Sequence, residues 1–184
     1  MKIRIKEAEV LEPKAKEVLD DLKGQISALM GGIEDELEDA SKEQKEGALT
    51  VASIALATPA ILGLIARFGK AATSIVRRVM GQKPTEQGDL EKYFQQMGRI
   101  ADELHHLYMK PLELIVKRFV KDPNKAKKIS HFIFHIIIGI MLLAAGITAV
   151  KAIQSKNLSL ATLETALSAI KGGEIKDYIT KLLS

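Results

Sequence analysis

The longest uncharged stretch of the chain, residues 129–150, constrains its fold more than any other feature. Its 22 residues contain no Asp, Glu, Lys or Arg and include HFIFHIIIGIMLLAAGITAV. As one helix this stretch is about 33 Å long, and about 20 apolar residues cross the hydrocarbon core of a bilayer. Eleven of residues 131–150 are Leu, Ile, Phe or Val, with an insertion free energy of very roughly −3 to −7 kcal/mol as an upper bound. The stretch therefore predicts a transmembrane helix.

A second uncharged stretch, residues 47–66, predicts a weaker span. Eight of its residues are Leu, Ile or Val and six are Ala, while two threonines, a serine and Pro59 offset part of the insertion free energy. It inserts more readily beside the first span, because small residues let membrane helices approach closely and Pro is tolerated in them. The positions predicted to pack the spans are Ala52, Ala55, Pro59 and Gly63 in this one, and Gly139, Ala145, Gly146 and Ala149 in the other.

Formal charges divide the chain into blocks of opposite sign. Residues 1–46 carry 8 Lys/Arg and 13 Asp/Glu, a net charge of −5, whereas residues 67–128 carry 14 and 7, a net charge of +7. Because basic loops stay on the cytoplasmic side, we expect 67–128 to be cytoplasmic at a bacterial inner membrane, with both chain ends outside. The basic side chains expected on anionic headgroups are Arg67, Lys70, Arg77, Arg78, Lys117, Arg118, Lys121, Lys127 and Lys128.

The acidic block, residues 1–46, predicts one amphipathic helix that begins near Pro13. Its apolar residues recur at steps of three and four, close to an 11-residue repeat, which favours a nearly straight or slightly right-handed packed helix. The face they form needs a partner, and we expect further copies of the chain to cover it around a symmetry axis, with Leu22, Ile26 and Ile33 at the contact. The full stripe is Ala15, Val18, Leu22, Ile26, Leu29, Ile33, Leu37 and Ala40.

The connecting region, residues 67–128, also has helical patterns. Apolar residues between Leu90 and Leu107 predict an amphipathic helix. Pro111 is expected to end or kink it, because a proline inside a helix removes a hydrogen bond and clashes with the preceding turn. Residues 112–120 then predict a separate short basic helix.

The last helices are predicted from a start signal and two apolar patterns. Asp122 as N-cap and Pro123 at the first helical position predict a helix that runs through the uncharged stretch to about Ser155. Two further amphipathic patterns predict helices in the final segment, residues 151–184, which carries a net charge of +2. The chain is thus predicted to be all-α.

Two pairs of polar residues are candidates for chemistry. His131 and His135 are four residues apart and share a helical face, a spacing that can hold a metal or relay protons. Glu103 and His106 form a Glu-x-x-His half-motif of di-metal bundles, and a homodimer would supply its second copy. The plainer alternatives are an interfacial histidine pair at the entry of a span and a solvated helix face.

Other motifs are missing from the sequence. There is no cysteine, and no glycine-rich phosphate loop, nucleophile elbow or HExxH zinc motif. The basic clusters lack the interleaved aromatic residues of nucleic-acid-binding surfaces. We therefore expect no enzyme, cofactor, small-molecule substrate or nucleic-acid partner.

Together these features predict a self-associating integral membrane protein that forms a passive pore or a membrane scaffold. In its small size, two spans and charged tails it resembles phage holins, in layout only. The alternative is a structural subunit of a large assembly, such as a phage virion, whose apolar helices are buried between copies.

Overall fold

The described part of the chain forms four long α-helices. The computed structural model describes residues 11–43, 51–79 and 87–156. Its helices are α1 (Pro13–Lys42), α2 (Val51–Val79), α3 (Gln87–Phe119) and α4 (Pro123–Lys156), and the described residues contain no strand. The all-α prediction is confirmed. The two predicted helices after Lys156 lie outside the described residues.

The helices pack as a four-membered bundle in which α1 and α4 each contact both α2 and α3. Gly32 of α1 lies against Leu64 and Asp21 pairs with Arg78, so α2 runs antiparallel to α1. Since α3 runs parallel to α1 and antiparallel to α4, the two apolar helices α2 and α4 run in the same direction. The contacts that fix these directions are Glu12 with Gln96, Ser27 with Tyr108, Tyr93 with Ala145, and His105 with Phe134.

The parallel direction of α2 and α4 differs from the predicted topology. If residues 67–128 all lie on one side of a membrane, the two spans that flank them must be antiparallel. In the bundle α3 instead returns along its length between the end of α2 and the start of α4. The cytoplasmic placement of this region therefore remains a prediction, and it requires α3 to leave its place in the bundle.

The start of α4 confirms the predicted cap. The Asp122 carboxylate accepts hydrogen bonds from the backbone N–H groups of Asn124 at 2.9 Å and Lys125 at 3.3 Å, and Pro123 is the first helical residue. The side chain thereby satisfies donors that have no partner inside the helix. This short turn joins α3 directly to α4.

The helix boundary predicted at Pro111 is wrong, because α3 continues through it from Gln87 to Phe119. Pro111 is exposed, so solvent can reach the carbonyl group that loses its helical partner. Leu112 and Val116, just beyond it, are fully buried. Burying two such side chains contributes about 1.5–3 kcal/mol each, which offsets the roughly 3 kcal/mol that an internal proline costs.

The first apolar stretch is also not a separate helix. Residues 51–66 are the first part of α2, which continues through Arg67 to Val79 without a break. Pro59 lies inside this helix on its exposed side. The basic residues predicted to follow the span therefore lie on the same rigid element.

The apolar stripe of α1 is covered by the chain itself. Leu22, Ile26 and Ile33 are fully buried, and α1 packs against α2 and α3. Nine apolar residues of α1 are buried in total, which stabilises the bundle by an upper estimate on the order of 10–25 kcal/mol. The expectation that a second copy must cover this stripe is corrected, because two helices of the same chain already do so.

Candidate functional site

Two helices are long and apolar enough to cross a membrane by length and composition. The candidate spans are Ala57–Val79 in α2, with a mean hydropathy of 1.3, and Pro123–Ala149 in α4, with a mean hydropathy of 2.4. A core helix of a water-soluble bundle can satisfy the same criterion. What distinguishes the two helices is the surface that each turns away from the bundle.

The outward surface of α4 is apolar. We call Phe132, Ile136, Leu143 and Ile147 the outer α4 stripe; Phe132 is 60% exposed, Leu143 44% and Ile147 37%, and Ile136 is partly exposed. Their spacing places them on one helical face, along about 22 Å of helix. The opposite side of α4 packs on α2 and α3, where Phe134, Ile137 and Met141 are buried. α4 is thus apolar on its inner and its outer side.

The outward surface of α2 is less apolar, although it includes Leu62, which is 42% exposed. Pro59, Gly63 and Ala66 are exposed in its first half, followed by basic residues in its second half. Most of its other large apolar residues point inward, and Ile61, Ile65 and Phe68 are buried. α2 therefore has the amphipathic pattern of an ordinary bundle helix. The exposed polar positions are Arg67, Lys70, Ser74, Arg77 and Arg78.

The close contact between α2 and α4 is made by Gly69, a position that no pattern in the sequence indicated. A Cβ atom at Gly69 would lie 2.6 Å from Cγ2 of Ile140, so only glycine fits there without a shift. By contrast, Pro59 and Gly63 are exposed, and nothing lies within 4 Å of a Cβ built on Gly63. Placing these two in the α2–α4 contact is corrected, because the inward face of α2 is taken by larger residues that bury more apolar area.

The other predicted packing positions have mixed surroundings. Ala145 and Ala149 are fully buried, and Gly139 is buried too. Gly146 is partly exposed, with nothing within 4 Å of a Cβ built there, so it is not a site of close packing in the bundle. Ala52 and Ala55 lie in α2, and their side chains fall outside the described residues.

Ion pairs connect the acidic helix α1 to its basic neighbours. In each pair α1 or its N-cap residue supplies the carboxylate, and each pair is solvent-exposed, so it contributes at most about 1 kcal/mol. The buried apolar stripe, not these charges, holds α1 in the bundle. The pairs are Asp21 with Arg78 at 2.7 Å, Glu12 with Lys92 at 2.6 Å, and Glu34 with Arg118.

The predicted membrane-surface cations fall into two groups. Arg78, Lys117 and Arg118 are engaged by carboxylates of the same chain, Lys117 by Glu113 at 2.7 Å. The Lys117 hydrogen bond lowers the pKa of Glu113 below its usual range, and the charges of Lys117, Lys127 and His131 lower it further. The remaining predicted cations are exposed: Arg67, Lys70, Arg77, Lys121, Lys127 and Lys128.

Within the described residues of one copy, the histidine candidates do not assemble into a metal centre, and the second copy expected to complete the Glu103–His106 half-motif stays a prediction. The rings of His131 and His135 lie 5.9 Å apart, while Glu103 and His106 are exposed on α3. Across residues 11–43, 51–79 and 87–156, no three or more His, Cys, Asp or Glu side chains are placed to hold a metal ion. Partial burial raises the pKa of the neighbouring Asp102, which makes that carboxylate a weaker acid.

Comparison of the chain with protein-family models, with curated proteins and with solved structures gives no match. The function is therefore inferred from the geometry of α4 and its neighbours.

Proposed function

We propose that the protein inserts α4 and α2 into a lipid bilayer, where copies associate into a pore or a membrane scaffold. The observation that carries this proposal is the outer α4 stripe, which leaves large apolar side chains in water on a helix that is already apolar inside. A bundle helix needs one apolar face. A second apolar face, on a candidate span of 27 residues, is what a bilayer accommodates.

Insertion requires the bundle to open. The outer faces of α1 and α3 carry exposed charges such as Lys16, Asp35 and Lys110, and a charge at the centre of a bilayer costs about 2.5–3.5 kcal/mol or more. We infer that α1 and α3 separate from α2 and α4 and lie in the interface as amphipathic helices, with their apolar stripes towards the acyl chains. With α3 on one side of the membrane, α2 and α4 must also change from parallel to antiparallel. The acyl chains of the bilayer then cover the apolar side chains that were buried in the bundle.

A disulfide between α1 and α2 tests this opening. A Cβ atom at Gly32 would lie 3.1–3.8 Å from side-chain atoms of Leu64, so cysteines at the two positions would face each other across the α1–α2 contact, as a disulfide requires. Because the chain has no cysteine, the double variant Gly32→Cys/Leu64→Cys creates one unique bridge. We expect the reduced variant to remain with vesicles after carbonate extraction and the oxidised variant to be released.

Single-cysteine variants at the same two positions are the matched controls, because they carry the same local changes without a bridge. If the wild type is extracted fully by carbonate without detergent, the integral-membrane proposal fails. If the oxidised and reduced forms insert equally, the proposed separation of α1 from α2 fails while insertion itself stands.

The assembly subunit is the second candidate, and the outer α4 stripe also supports it. A neighbouring copy that covers this stripe would leave the bundle closed and bury the same side chains. The two functions differ in how the protein is extracted from lysed cells. An assembly subunit is released as particles without detergent, whereas an inserted protein stays in the pellet until detergent is added.

A further inference from the structure

We propose that Lys125 and Lys128, together with Phe132, form a docking surface for an anionic lipid bilayer at the start of α4. This inference rests on the proposed function and names the lipid class that the closed bundle meets before it inserts. It requires no opening of the bundle, since all three side chains are exposed in the closed form.

The helical spacing places these residues on one face. Positions 125, 128, 132 and 136 are related by steps of three and four, so Lys125 and Lys128 continue the outer α4 stripe towards the helix start. The face thus begins with two ammonium groups and continues with apolar side chains. Lys127 lies on a different side, where its charge acts on Glu113 of α3. The structure adds Lys125 to the predicted surface cations and sets Lys127 apart from this face.

The charges on this face are not neutralised by nearby carboxylates. In the described part of the chain Lys125 and Lys128 form no ion pair, whereas Lys117 and Arg118 at the end of α3 do. The Asp122 carboxylate is the nearest acid in sequence, and backbone N–H groups of α4 engage it.

An anionic leaflet complements this arrangement. Lysines near its surface are attracted by the negative potential of the headgroups, within a Debye length. Phe132 lies about one turn further along the helix, where an aromatic ring reaches the boundary between headgroups and acyl chains. A polyanion such as RNA would satisfy the lysines but offers no apolar layer for Phe132.

Vesicle flotation with the full chain tests the proposal. Vesicles of phosphatidylcholine with 30% phosphatidylserine, at about 0.1 M salt, are mixed with wild type, with Lys125→Gln/Lys128→Gln, and with Lys14→Gln/Lys16→Gln. The last variant removes the same charge from exposed positions of α1. We expect the α4 variant to bind about thirtyfold more weakly, about fivefold for each lysine, and the α1 variant to bind as wild type. If detergent is needed for extraction, the proteins are diluted from it into the vesicles.

Two further arms separate docking from insertion and from other partners. The oxidised Gly32→Cys/Leu64→Cys protein should still float with anionic vesicles, because docking uses the closed bundle. Phe132→Ala should weaken vesicle binding while it leaves binding to a duplex RNA probe unchanged. The proposal is overturned if the α1 and α4 variants lose binding equally, or if Phe132→Ala has no effect on vesicle binding. Either result leaves the insertion test by carbonate extraction unaffected.

Discussion

The two candidate spans, α2 and α4, differ in how many of their large apolar residues remain exposed in the bundle. In α2, 33% of the most apolar window is buried, and apart from Leu62 the exposed residues are small, polar or basic. In α4, 56% is buried and the outward residues are still Phe, Leu and Ile. Most of the large apolar residues of α2 pack in the bundle core, whereas α4 has a row of large apolar residues in addition to those that pack there. The excess on the outer side of α4, not the length of either stretch, is what supports a membrane or assembly role.

The largest expected effect separates the two sides of α4. Phe134 is buried, with its ring centroid 5.3 Å from that of His105 in an edge-on contact, so Phe134→Ala should destabilise the bundle by about 3–5 kcal/mol. Phe132→Ala, two residues away on the exposed side, should change the free energy of unfolding by less than about 0.5 kcal/mol. Urea unfolding followed by circular dichroism measures both. Equal losses would mean that α4 has no distinct inner face.

The next effect separates the outer surfaces of α4 and α3. Leu143→Lys places a charge on the outer α4 stripe, where insertion should become less favourable by about 2.5–3.5 kcal/mol. The closed bundle should tolerate it, because the position is already 44% exposed. Leu107→Lys on α3 starts from the same exposure of 44% but lies outside both candidate spans, so it is the control and should insert almost as wild type. The measurement is the carbonate-resistant fraction, and unchanged resistance of Leu143→Lys would exclude α4 from the bilayer.

The contact between α2 and α4 gives a smaller effect whose sign depends on position. Gly69→Ala should destabilise the bundle by about 1–2 kcal/mol. The overpacking cost of about 1–3 kcal/mol exceeds the gain of up to about 1 kcal/mol in helix propensity. Ile140 cannot relieve the contact easily, since a β-branched side chain in a helix has one preferred rotamer.

Gly63→Ala is the matched control, because open space surrounds that position and only the propensity gain remains. Thermal unfolding of both variants should therefore shift in opposite directions. Stabilisation by Gly69→Ala would show that α2 and α4 are not in close contact there.

Local signals in the sequence predicted much of this fold. The cap at Asp122, the buried stripe of α1 and the all-α class follow from patterns within a few turns. The continuation of α3 through Pro111 does not, because it depends on burial supplied by other helices. The Gly69–Ile140 contact joins two residues that are 71 positions apart in the sequence. It depends on how α2 aligns with α4, which the pattern of a single helix does not contain. The spacing of Lys125, Lys128 and Phe132, in contrast, is sufficient by itself to place the three residues on one helical face.

The smallest effect concerns a buried hydrogen bond that holds α4 to α3. The Tyr93 hydroxyl donates to the carbonyl oxygen of Ala145 at 3.2 Å, and burial raises the pKa of Tyr93 above its ordinary value, which is about 10. Tyr93→Phe should cost about 1 kcal/mol at neutral pH.

The stability that Tyr93 contributes should fall at alkaline pH, because the raised pKa lets the folded protein keep the hydroxyl proton where the unfolded chain has lost it. The contribution of Tyr93 is complete below pH 10 and falls by up to about 1.4 kcal/mol per pH unit above it. The phenylalanine variant should lack this alkaline loss, so the two unfolding curves should converge between pH 10 and 11. Parallel curves throughout that range would place the Tyr93 hydroxyl in water, and α4 would then be free of this restraint before it meets a bilayer.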